Sequence, residues 1–128
     1  MNRSIKLQNI LVLLGCLFIF TIPVFAQNAK VAAVITKDLA GIAGKEVVMI
    51  TVEYAPGASS EKHRHNANTF VYVLEGSITM QVEGGEAVTL GPGETFYESP
   101  TDVHTVSKNA SMTKPAKFLV IFIKDKGT

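Results

Sequence analysis

The chain is poor in the features that most often betray a function. It has one cysteine, Cys16, in 128 residues, and the rest of the sequence cannot form a disulfide within itself. It has no excess of either charge: twelve Lys and Arg stand against eleven Asp and Glu, for a net charge of +1. That balance provides no basic field for nucleic acid and no polyacidic tail. Five prolines and ten glycines exclude collagen-like and low-complexity composition. No repeat or linker is visible, and no serine-nucleophile or thiol pattern stands out. What remains is a 47% hydrophobic chain long enough for one small globular domain.

The apolar residues are unevenly spread. Arg3 and Lys6 precede a nearly unbroken run from Ile10 to Phe25, and Val24 and Ala26 occupy small-residue cleavage positions. This pattern reads as a secretory signal peptide spanning residues 1–26 and implies a secreted or periplasmic protein. A membrane anchor is the alternative, but the 11 to 16 apolar residues fall short of the roughly 20 needed to span a bilayer. Leu13-Leu14-Gly15-Cys16 also resembles a bacterial lipoprotein box that would acylate Cys16, although the apolar run continues past that cysteine. Cleavage after Ala26 leaves residues 27–128, a cysteine-free domain with ten basic and eleven acidic residues. Its stability must come from packing, assisted by metal or dimerisation.

The remaining chain reads as all-β. Short β-branched and aromatic runs alternate with turn residues, and no window longer than about ten residues has helical periodicity. Strands are expected at 47–54, 69–74, 77–83, 87–90, 95–98, 104–107 and 117–123, with an edge strand and loop within 29–45. Gly84-Gly85 marks a hairpin. Strands this short and closely spaced close most economically as an antiparallel sandwich or barrel. Tyr72 and Tyr97 read as packing or interface residues. Asn66 and Asn68 read as loop caps, and Glu83 and Glu86 as solvated hairpin flanks.

The three histidines are His63, His65 and His104. At i and i+2 of an extended segment, two imidazoles share one face with α carbons roughly 6.6 Å apart. Both can then reach one ion at about 2.0–2.1 Å. The neighbouring Glu61, Lys62 and Arg64 equally suit a solvated charged face. His104 lies 39 residues after His65, room for two hairpins to bring a third imidazole back to the first two.

The segment from Pro56 and Gly57 through His63 and His65 to Gly76 resembles the first motif of the cupin superfamily. The segment from Gly93 through Glu98 and Pro100 to His104, followed by Asn109, resembles the second. The resemblance covers residues 37–123 and implies an antiparallel jelly-roll barrel. Its lumen would hold a divalent metal on three histidines and a glutamate, with His63, His65 and His104 matching the histidine positions. The glutamate position, seven residues before Gly76, is Thr69 here. A threonine hydroxyl poorly replaces a carboxylate on such an ion. Glu98 is the candidate substitute, because it shares a strand face with Phe96 and turns into the lumen if Phe96 packs inward. Ser99 and Thr101 also replace the family's usual proline and glycine.

The resemblance therefore implies a metal-binding protein that handles a small organic ligand, as an oxygenase or isomerase by family analogy. Fe, Mn, Ni and Zn all suit the donors. A non-enzymatic binding module and a metal-free structural barrel are the alternatives. No nucleic-acid partner is expected, and no membrane partner after leader cleavage. A homodimer paired through sheet edges is expected, with 117–123 as an uncovered edge.

Overall fold

The computed structural model describes residues 29–128. The leader, its cleavage after Ala26 and the Cys16 lipidation site lie outside the described residues. Among the described residues there is no helix; nine strands form two antiparallel sheets. They are β1 (Lys30–Asp38), β2 (Lys45–Tyr54), β3 (Ser59–Ser60), β4 (Asn68–Glu75), β5 (Ile78–Val82), β6 (Val88–Leu90), β7 (Thr95–Glu98), β8 (His104–Asn109) and β9 (Ala116–Asp125). One sheet runs in the order β1-β2-β9-β4-β7 and the other β3-β8-β5-β6. Val52, Val71 and Phe118 from the first meet Ile78, Met80 and Leu90 from the second in one buried cluster.

Period-2 alternation produces this arrangement. Along β4, Thr69, Val71 and Val73 are buried while Phe70, Tyr72 and Leu74 face out. The Gly84-Gly85 hairpin forms as expected, with Ile78 opposite Leu90 and Met80 opposite Val88. β1 is an edge strand, longer than its pattern indicated and exposed along its whole length. The two-residue β3, too short to show periodicity, pairs with β8.

One expectation is corrected. The 117–123 segment is not an edge: as part of β9 it lies between β2 and β4, paired along its length with both, with one bulge on the β4 side between Val73 and Glu75. The physical reason is visible in Phe118–Ile123, which contains no polar residue. Such a run loses apolar contact on one face or the other unless neighbours flank it.

The end of the barrel away from the histidines is closed by Asn109. Its side-chain amide donates to the carbonyls of Tyr54, Ala55 and Lys114 at 3.3, 3.1 and 2.8 Å, and its Oδ1 accepts from Ser111 N at 2.8 Å. Gly76 completes that end. Its φ is +70°, and a Cβ there would collide with the Pro115 carbonyl oxygen. Gly84, at φ +82°, faces open space. Gly84→Ala should therefore cost about 1–2 kcal/mol, the left-handed backbone penalty alone. Gly76→Ala should cost at least about 3 kcal/mol, because the backbone of 115–116 must also move. Urea denaturation of the two variants measures the difference; equal costs would remove the proposed close approach.

Candidate metal centre

Local backbone pairing brings the histidines together. His63 forms an isolated antiparallel bridge with His104: His63 N donates to His104 O at 3.1 Å and His104 N to His63 O at 2.8 Å. A residue pair that exchanges both bonds holds its α carbons about 5.5 Å apart with side chains on one face. The two ring centroids are accordingly 5.1 Å apart. His65 follows on the same side of the chain, its ring 4.5 Å from that of His63 and 4.8 Å from Phe122. Asn66, at φ +52°, then turns the chain into β4.

Glu98 reaches the same place from another strand. It lies directly opposite Thr69 in the β4–β7 ladder, so both side chains enter the lumen at one level. Both are fully buried. Phe96 is partly buried against the core and its ring stacks on His104, centroids 6.0 Å apart. After Glu98, Asp102 closes a turn: Asp102 N donates to Ser99 O at 3.1 Å and Ser99 N to Asp102 Oδ2 at 2.7 Å. Pro100 occupies the second turn position, which its fixed φ suits. Ser99 and Thr101 thus leave a closed turn that delivers His104.

One ring nitrogen from each histidine lies within 4.8 Å of the others, so these three residues could hold a metal ion. The protonation pattern fits that use. His63 Nδ1–H donates to the Glu61 carbonyl at 2.6 Å, which leaves the Nε2 lone pair free. That atom is 3.0 Å from His65 Nε2, a separation natural to two nitrogens sharing one ion at about 2.0–2.1 Å. His104 is buried, and neither of its ring nitrogens makes a hydrogen bond. Glu98 Oε1 is 2.9 Å from His104 Nδ1 but out of line for one, and Glu98 Oε2 is 3.9 Å from His65 Nε2. A buried nitrogen with no partner costs about 1–3 kcal/mol; coordination would remove that cost.

The donors line a cavity of about 150 Å³. Tyr72 and Tyr97 are not in it. They lie on the outer face of the first sheet beside Phe70, where Tyr97 donates to Asn68 Oδ1 at 2.7 Å. Sequence reasoning missed Tyr54, Ser60 and Ser107, whose hydroxyls also line the lumen. For Ser107 the obstacle is a bulge: Val106 lies opposite Gln81 and His104 opposite Val82. Thr105 is the extra residue, so His104 and Ser107 both face inward despite their odd spacing.

Comparison with known proteins agrees with this geometry. Residues 50–122, more than half of the chain, match the model of the Cupin domain family. The chain belongs to the cupin family. A cupin superfamily protein from Desulfitobacterium hafniense superposes with a TM-score of 0.63 at 16% identity, covering 81% of this chain and 84% of that one. The cupin domain of Schizosaccharomyces pombe Cnp3 gives 0.64 at 16%, covering 80% and 66%. The DMSP lyase DddQ from Ruegeria pomeroyi gives 0.57 at 23%, covering 64% of this cupin and 40% of the lyase. A comparison with curated proteins returned no match.

Burial holds the His65 imidazole below its ordinary value near 6.5; Glu98 opposes this, and His63 and His104 add to it. The neutral, metal-ready form is therefore favoured. As pH falls below 6.5 the unfolded chain takes up its proton at this position before the folded one does, and stability is lost down to the depressed midpoint. Above 6.5 His65 contributes no pH dependence. An NMR titration of the metal-free protein should place the His65 midpoint below the free-imidazole value; a midpoint above it would contradict the burial argument.

Proposed function

We propose that this chain is an exported cupin that binds a divalent cation on His63, His65 and His104, with Glu98 as the fourth donor, and handles a small organic ligand in the lumen. The observation that carries the reading is the convergence of the three imidazoles on one cavity wall with a buried carboxylate beside them. Export is supported by the leader pattern of residues 1–26, and mass analysis of the mature N-terminus tests it. A homodimer is supported by apolar side chains that β1 leaves exposed, Val31, Val34 and Ile35.

The chemistry we assign is that of an oxygenase or isomerase. When bound, a divalent ion would supply Lewis acidity toward a ligand oxygen, and for iron also a place for dioxygen. The chain's own residues do the rest. Val52, Val71, Val120 and Phe118 give the cavity apolar walls, and its volume of about 150 Å³ suits a small ligand. Glu98 is the one carboxylate among the described lining residues, and when it is not bound to the ion it is the group placed to move a proton to or from a ligand carbon or oxygen. Turnover separates this reading from a binding module: a metal-loaded protein that transforms no candidate chelating ligand is a binder.

Elemental analysis and metal titration test the donor set. His63→Ala or His65→Ala should abolish tight binding and remove the metal-dependent rise in melting temperature. Glu98→Gln should weaken affinity roughly tenfold or more. Because residues 69 and 98 face each other across the ladder, adding Thr69→Glu to Glu98→Gln should recover most of that loss. Full affinity in Glu98→Gln alone would remove Glu98 from the donor set.

A further inference from the structure

The metal reading uses one end of the lumen and leaves the other unexplained. Three residues past His104 on β8, roughly 10 Å along an extended strand and somewhat less across the bulge, Ser107 meets two other hydroxyls. Tyr54 OH lies 2.5 Å from Ser60 Oγ and 2.7 Å from Ser107 Oγ. Tyr54 and Ser107 are buried, and all three residues line the cavity. Three hydroxyls carry three protons, and the two contacts consume two of them. One donor and several lone pairs are left for whatever occupies the lumen. The same cavity is lined by apolar side chains, among them Val52, Met80 and Phe118.

Charge narrows the ligand further. Among the described lining residues there is no Lys or Arg, and the single carboxylate is at the histidine end. A phosphate or a second carboxylate at the hydroxyl end would be desolvated with no cation beside it, which is costly. A hydroxyl or carbonyl would be satisfied there by hydrogen bonding.

We propose that Tyr54, Ser60 and Ser107 form a neutral recognition pole. In this reading the lumen selects a compact monoanionic acid with a chelating oxygen pair at one end and a hydroxyl or carbonyl at the other. The inference rests on the metal site proposed above and adds the substrate class. Tyr54 is the central positioning group, since it alone touches both serines.

The test is calorimetric binding to the metal-loaded protein. The probes are 2-oxo acids of four and five carbons that end in methyl, hydroxymethyl or carboxylate. At one of the two lengths the hydroxymethyl acid should bind about three- to tenfold more tightly than the methyl acid. The dicarboxylate should bind at least about tenfold more weakly than the hydroxymethyl acid. Tyr54→Phe should erase the hydroxyl preference and leave methyl-acid affinity within about twofold. Should Tyr54→Phe fail to fold, Ser107→Ala carries the same expectation. Metal uptake with no hydroxyl preference at either length, or a preference that survives in both variants, overturns this inference and leaves the metal site standing. Failure of the wild-type protein to take up metal overturns both.

Discussion

Two backbone hydrogen bonds between His63 and His104 hold the geometry on which the rest of the site depends. They join a loop residue to the first residue of β8, so the backbone under one imidazole is fixed by the other's strand, and the His63 ring is then oriented by its bond to the Glu61 carbonyl. His65 then follows by the simple period of an extended chain, and Glu98 by its place opposite Thr69 in the β4–β7 ladder. This construction puts three imidazoles and a carboxylate into a space whose remaining walls are mostly apolar, with the Tyr54, Ser60, Thr69 and Ser107 hydroxyls as the exceptions. Desolvating so many polar groups with few hydrogen bonds opposes folding. A bound cation would convert the same groups from a cost into a source of stability.

Much of this was legible in the sequence, for identifiable reasons. The β-branched and aromatic run at 69–74 marks β4 as a strand, and the glycine pair at 84–85 marks the hairpin between two such runs. The His-x-His pair announced itself by spacing, and the distance to His104 allowed a return. Neighbour relations were less legible. β9 looks like any other strand in propensity, and its flanking by β2 and β4 depends on contacts far away in the chain. The unbroken apolar character of Phe118–Ile123 was the available signal, since an edge strand facing water would have alternated.

The hydroxyl cluster shows a different limit. Counting by twos along β8 sends His104 and Ser107 to opposite faces, and one extra residue at Thr105 cancels that prediction. A bulge is a property of two strands, not one, so no inspection of β8 alone could reveal it. The same holds for β3, whose two residues acquire meaning through pairing with Ser107 and Lys108.

Pairing across strands also bears on the departure at Thr69. In an antiparallel ladder, residues directly opposite one another are nearer in space than next neighbours on their own face of one strand. Position 98 is one of the two positions directly opposite residue 69, the other being Phe122, and it is the one that carries a carboxylate. The threonine is the smaller partner that leaves room for it: Thr69 is buried, with its hydroxyl directed to the Ala67 carbonyl at 3.4 Å, while Glu98 extends to the imidazoles. Chemistry at such a centre depends on where the charge sits. The ladder lets either strand deliver it, so losing the glutamate from one motif need not mean losing the carboxylate from the site.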